Sequence, residues 1–103
     1  MKYKYANSFK KGLSSLSTTD KRAANKDTFK EITQAIEGNK QLAIKYKLKK
    51  MHGNNRYMEG HIKRHLCFVY KFSVESNAKV CIFLFIGTHE IYDQVKRLND
   101  SLS

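Results

Sequence analysis

The sequence predicts an α+β fold in one domain, residues 1–103: an N-terminal strand, a two-helix hairpin, a largely antiparallel sheet of three further strands and a short C-terminal helix. Three observations carry this. Apolar residues recur at helical spacing before Gly38 and after Glu90, but alternate or run continuously between Arg56 and Thr88. Turn-forming residues cluster at His52–Asn55 and Glu75–Ala78, between those apolar runs. A chain of 103 residues with 41% hydrophobic and 12% aromatic content can fill one small core, which argues against disorder throughout and against two separate cores.

Each element has a local reason. Lys2 to Tyr5 alternates Lys and Tyr, as a strand with one wet face does. Ser8 can cap a helix to Leu16, with Phe9, Leu13 and Leu16 on one side. The Ser/Thr run from Ser14 to Thr19 ends it. Thr19 or Asp20 then caps a longer helix that places Phe29, Ile32, Ala35 and Ile36 together and stops near Gly38-Asn39. Both helices are expected on one face of the sheet. Leu42 to Met51 reads as a basic connector, partly extended. The strands are Arg56–Ile62, Leu66–Ser73 and Lys79–Thr88, and a helix over Glu90–Leu98 closes the chain. In the second strand Leu66, Phe68, Tyr70 and Phe72 share a face, with Cys67 and Val69 on the other. Lys79–Thr88 is apolar on both faces and belongs at the centre of the sheet.

Charge narrows the function. Twenty Lys and Arg against 9 Asp and Glu leave a formal charge of +11, which points to a polyanionic partner: nucleic acid, an acidic protein or an anionic membrane surface. The excess is local, since Glu59 is the single acid between Lys40 and Arg64. No apolar run approaches the ~18–20 residues of a membrane span, and the N-terminus lacks the apolar stretch of a secretory signal. A cytoplasmic protein is therefore expected. Cys67 and Cys81 sit in apolar runs and read as buried free thiols.

Four histidines are present. A tight turn at Lys63-Arg64 would place His61 across from roughly Leu66. A hairpin about Ser76-Asn77 would place Thr88 and His89 across from roughly Arg64 and His65, and Cys81 across from about Lys71. His61, Lys63, Arg64, His65 and His89 would then share one end of the sheet. Imidazoles can move protons near neutral pH, and cations can stabilise charge building on a phosphate. RNA carries its own nucleophile in the 2′-hydroxyl, so such a cluster could cleave RNA with no metal and no cofactor. Surface histidines without function, and a zinc site built from His61, His65 and His89, are the other readings of the same cluster. His52, in a turn, reads as structural or solvent-exposed.

The stretch from Lys47 to Tyr92, through its segments KKMHGNNRYMEGHI, LCFVYKF and FLFIGTHEIY, resembles the RelE/ParE superfamily of bacterial type II toxins, and within it the YafQ-like branch. The resemblance implies a ribosome-dependent endoribonuclease that cleaves mRNA in the ribosomal A site, contacts ribosomal RNA and is held inactive by a cognate antitoxin. His61 and His89 match the branch's catalytic histidines. His65 falls where an Asp is usual, Lys49 roughly where another His occurs, and Tyr92 one residue before the usual late aromatic. On this footing His61, His89 and His65 are candidates for proton transfer. Lys49, Lys63 and Arg64 would stabilise the transition state, and Tyr92 would stack on a base or orient His89. Lys45, Lys47, Lys50 and Arg56 would hold RNA phosphates, together with Lys63. The free toxin is expected to be monomeric, without a membrane partner. The alternatives are a ParE-like gyrase-inhibiting toxin and a basic nucleic-acid-binding module without catalysis. Three converging histidines favour the nuclease over the gyrase-directed toxin, and a binding module, unlike a nuclease, would tolerate the loss of His89.

Overall fold

The structure is a computed structural model that describes residues 1–102, and the side chains of all of these except 54, 55 and 98–102. Strand β1 (Lys2–Tyr5) leads into four helices: α1 (Asn7–Ser14), α2 (Thr18–Ala23), α3 (Lys26–Ile36) and α4 (Lys40–Lys45). Strands β2 (Lys49–Met51), β3 (Asn54–Lys63), β4 (Leu66–Glu75) and β5 (Ala78–Gly87) follow, then helix α5 (Ile91–Leu102). The five strands form one sheet in the order β1-β5-β4-β3-β2. β1 runs parallel to β5, with Tyr3 opposite Cys81, and the other pairings are antiparallel. The α+β class and its strand-helices-strands-helix order are as predicted, and no helix among the described residues is long and apolar enough to cross a membrane.

The helical region is more finely divided than its periodicity suggests. Asn25 stops the expected long helix, because its side chain accepts from Thr28 N and starts α3 afresh. Ser17 caps α2 in the same way, by accepting from Asp20 N. The expected connector Leu42–Met51 holds part of a helix and an edge strand. Asn39 caps α4 by accepting from Leu42 N, and Gly38 takes the positive φ of 120° that turns the chain out of α3. Gly12 lets α1 lie directly on β5: a Cβ there would come within 2.5 Å of the Ile86 carbonyl oxygen.

Side-chain alternation along the strands builds two cores. On one face, Phe9, Phe29 and Ile32 from the helices pack on Leu66, Phe68, Tyr70, Cys81 and Phe83. The rings of Phe9, Phe29 and Phe68 all lie within 6.2 Å of Phe83, centroid to centroid. On the other face, Ile91 and Val95 of α5 pack on Tyr57, Cys67, Val69 and Phe85. Helices therefore cover both faces, not one as the sequence suggests: α1–α4 lie on the first face and α5 on the second. The two thiols are free and buried, as expected. They belong to opposite cores, and Cys81 lies opposite Phe72 rather than Lys71.

Register slips occur at two places. One falls between Val69 and Tyr70, opposite Phe85 and Phe83. The other falls between His61 and Lys63, so that His61 pairs with Cys67 while Lys63 pairs with Leu66. A bulge of this kind re-aims the side chains beyond it. His61 stays on the α5 face with Cys67. Lys63 turns, with Leu66, to the face of α1–α4.

Candidate active site

Where α5 leaves the sheet, a cleft of about 640 Å³ opens between the N-terminal half of α5, the β2–β3 hairpin and the middle of β3. Lys49, Glu59, His61, His89 and Tyr92 line it, with His52, Asp93 and Lys96. β3 presents Tyr57, Glu59 and His61 to the same side by alternation. The first fills the core beneath, and the other two form the floor. His89 arrives from the β5–α5 connection, just past the end of β5 at Gly87, which lies opposite Cys67. The imidazoles of His61 and His89 stand 6.3 Å apart, centroid to centroid, and the Tyr92 ring lies 5.7 Å beyond His89.

His61 is tightly framed. Its backbone N–H donates to Tyr46 O at 2.7 Å, tying β3 to the end of α4. Its Nδ1 lies 3.3 Å from Cys67 Sγ and its Nε2 3.9 Å from Glu59 Oε1. Glu59 is the one charged residue that is buried among the described residues, and Lys49 Nζ meets it at 3.4 Å. Burial of the Tyr92 hydroxyl first, and the influence of Cys67 and Glu59 next, push its pKa up and keep it protonated. Burial likewise raises the Cys67 thiol above its ordinary range.

Electrostatics favour a neutral His61. Burial is the largest cause of its lowered pKa; Glu59 opposes the shift, while Lys47, His89 and Lys49 reinforce it. Lys47 contributes from the turn after α4, where it adopts a left-handed φ of 51°. A neutral imidazole beside cations, open to solvent on one side, can accept a proton from an incoming hydroxyl.

Not every residue singled out from sequence lies in this cleft. His61, His89, Lys49 and Tyr92 line it, and Lys47 stands close enough to act on His61. His65 and Lys63 do not line it. They meet Asp20 of α2 instead, at 3.2 and 3.4 Å, across the helical face. Burial of Asp20 raises its pKa, yet hydrogen bonds and charge from His65 and Lys63 outweigh this and leave it lowered. Arg64 is exposed on the β3–β4 turn. The expected convergence of five residues at one end of the sheet thus separates into two clusters, because the slip at Ile62 divides them between faces. Lys45 is paired with Glu31 at 2.8 Å on the α3–α4 surface. Lys50, opposite Met58, and Arg56, which alternates with Tyr57, are on the strand faces turned away from the cleft.

Sequence reasoning missed Glu59 as part of the site, and read His52 as outside it. The spacing of Glu59 and His61 was the available signal, since residues two apart on a strand share a face. No three His, Cys, Asp or Glu groups suited to one metal ion come together among the described residues. The zinc reading built on His65 loses its third ligand to the Asp20 pair.

No protein-family model matches the sequence, and no curated protein is found similar to it. Solved structures are similar in fold. A metal-bound toxin from Helicobacter pylori superimposes with a TM-score of 0.65 at 22% identity, over 87% of this chain and 96% of that one. YafQ from Escherichia coli BL21(DE3) gives 0.60 at 20% identity, over 87% and 94%. YafQ in the E. coli DinJ–YafQ toxin–antitoxin complex gives 0.59 at 21% identity, over 86% and 92%. The chain has the fold of RelE/ParE-type toxins.

Proposed function

We propose that the protein is the toxin of a toxin–antitoxin system and that it acts as an endoribonuclease on mRNA at the ribosome, with residues 1–103 forming one catalytic domain. The observation that carries this reading is the His61–His89 pair across a cleft lined by Lys49 and Lys96, with the charge of Lys47 acting on His61. The fold shared with YafQ agrees with it.

In the tautomer that donates Nδ1–H to Cys67 Sγ, His61 keeps the Nε2 lone pair available. Nε2 takes the proton of an RNA 2′-hydroxyl, and the 2′-oxygen attacks the adjacent phosphorus. The bond to the 5′-oxygen breaks, and His89, in its protonated form, supplies the proton that oxygen needs. The products are a 2′,3′-cyclic phosphate and a 5′-hydroxyl end. Lys49 stabilises the charge that accumulates on the phosphoryl oxygens, with Glu59 holding its ammonium over the cleft. Tyr92, fixed by Cys67 and Glu59, presents its ring beside His89, where a base can stack. Lys47 and Lys96 contact flanking phosphates. A cognate antitoxin is the protein partner on this reading, as DinJ is YafQ's in the complex cited above.

Primer extension on a reporter mRNA after brief induction in a bacterial host tests this. New 5′ ends in register with codons, absent with His89→Ala, are expected. Growth arrest without new ends would instead favour a gyrase-directed toxin, and neither arrest nor ends would remove the catalytic reading.

A further inference from the structure

Two polar side chains that line the cleft have no part in the proposed chemistry, His52 and Asp93. Asp93 is the harder to account for. A carboxylate repels RNA phosphates, and the other charged residues of the lining are Lys49, Lys96 and the buried Glu59. Asp20, Glu31, Glu59 and Glu75 are each neutralised by a lysine. Asp93 is exposed and has no ion-pair partner among the described residues. Its place in the first turn of α5 suits the partial positive charge of a helix N-terminus. That need is already met by Glu90, which precedes α5 and lines a separate depression against α1.

Position gives this carboxylate a use. Asp93 directly follows Tyr92, and both line the cleft. The Tyr92 ring, beside His89, is the stacking platform of the proposed mechanism. An unstacked base is read by hydrogen bonds on its Watson–Crick edge. A carboxylate offers that edge two acceptor oxygens side by side and no donor. Guanine answers with two adjacent donors, N1–H and the N2 amino group. Adenine and cytosine present one amino group beside an acceptor ring nitrogen, and uracil one N3–H between two carbonyls. Each of these three would set a lone pair against a carboxylate oxygen. We propose that Asp93 is a specificity-determining residue: its carboxylate accepts both Watson–Crick donors of a guanine stacked on Tyr92, so that the cleft selects G at that position of single-stranded RNA. That the ligand is RNA rests on the nuclease reading; the choice among bases rests on Asp93. The carboxylate weakens RNA binding in general and restores it for one base, which is how a repulsive group confers selectivity.

The test reads binding, not cleavage. The full chain is titrated into fluorescein-labelled 2′-O-methyl oligouridines, which lack the attacking hydroxyl, with the central position set to G, A, C or U. Fluorescence anisotropy is expected to show the G oligonucleotide binding about tenfold tighter than the other three, as one bidentate contact to a base provides. Asp93→Asn, an isosteric change at an exposed position, presents one acceptor and one donor. It should abolish the G advantage and tighten binding of the other three, because a negative charge has left the cleft. Asp93→Glu, which keeps both acceptors, should retain the preference. If Asp93 served only the helix N-terminus, Asp93→Asn would lower the urea midpoint and leave the order of the four bases unchanged. That result would overturn the proposal, as would equal binding of all four by the wild type or a preference for another base. Binding without preference would leave the nuclease reading standing. No binding of any oligonucleotide would remove the RNA reading and the proposal with it.

Discussion

The two faces of the sheet use the same strands for different ends. Beneath α1–α4, aromatic rings interlock around Phe83, and the charged residues at the margin are paired: Lys63 and His65 with Asp20, Lys45 with Glu31. Beneath α5 the core is smaller and ends in a cleft, where Glu59 is buried next to an imidazole that is itself partly desolvated. One face concentrates stability. The other holds titratable groups in a setting that shifts their protonation, which is the usual mark of a site where chemistry occurs. Adjacent positions on one strand serve both, because alternation sends Gly60 to the first face and Glu59 and His61 to the second.

The sharpest way to break this contrast is to remove a group from each side. His61→Ala or His89→Ala should lower RNA cleavage by about 10²–10⁴-fold, the usual contribution of a positioned acid or base, with a near-normal urea midpoint. On the opposite face, Phe83→Ala should cost about 3–5 kcal/mol of stability, read from urea unfolding followed by circular dichroism. Next in size is Gly12→Ala. Its Cβ meets the backbone oxygen of Ile86, which cannot rotate away, so α1 must shift from β5 at a cost of about 1–3 kcal/mol.

A pH experiment sharpens the cleft side. Because the folded-state pKa of His61 lies below its ordinary 6.5, the neutral base persists to lower pH, and the acidic limb of the rate profile should fall below 6.5. Glu59→Gln removes the one influence that raises it, so the limb should move further down. The same shift makes the unfolded chain the better proton acceptor. The His61 contribution to stability is therefore intact above the unfolded value and is lost as pH falls through that value toward the folded one. Denaturant titrations at stepped pH would detect it. The smallest expected effect is His65→Ala, an exposed pair partner outside the cleft: cleavage should stay within about a fewfold of wild type, as is usual for surface pairs.

Much of this architecture was legible from residue pattern. Strands β3, β4 and β5 followed from alternation and from the apolar run ending at Gly87, and the approach of His61 to His89 followed from folding two hairpins. Two kinds of feature did not. Helix breaks at Asn25 and Asn39 depend on single capping side chains inside otherwise continuous periodicity. The caps were visible in the sequence as Asn followed three residues later by Thr28 or Leu42, but tertiary packing decides whether such a cap starts a new helix. The slip at Ile62 was harder. A one-residue slip leaves no mark on composition, yet it reverses the face of every side chain beyond it. That single irregularity is why Lys63 and His65, grouped with His61 by sequence, pair with Asp20 instead. Glu59 escaped notice for another reason: an acid in a basic stretch reads as a surface residue until its burial is known.

The most direct test of the central claim compares His61→Ala with His65→Ala in a translation extract, with cleavage of a defined mRNA quantified by primer extension. The account predicts that the first loses cleavage by at least about 10²-fold and that the second retains it. Equal loss in both variants would contradict the division of the histidines between the two faces, and full activity in His61→Ala would contradict the cleft as the site of chemistry.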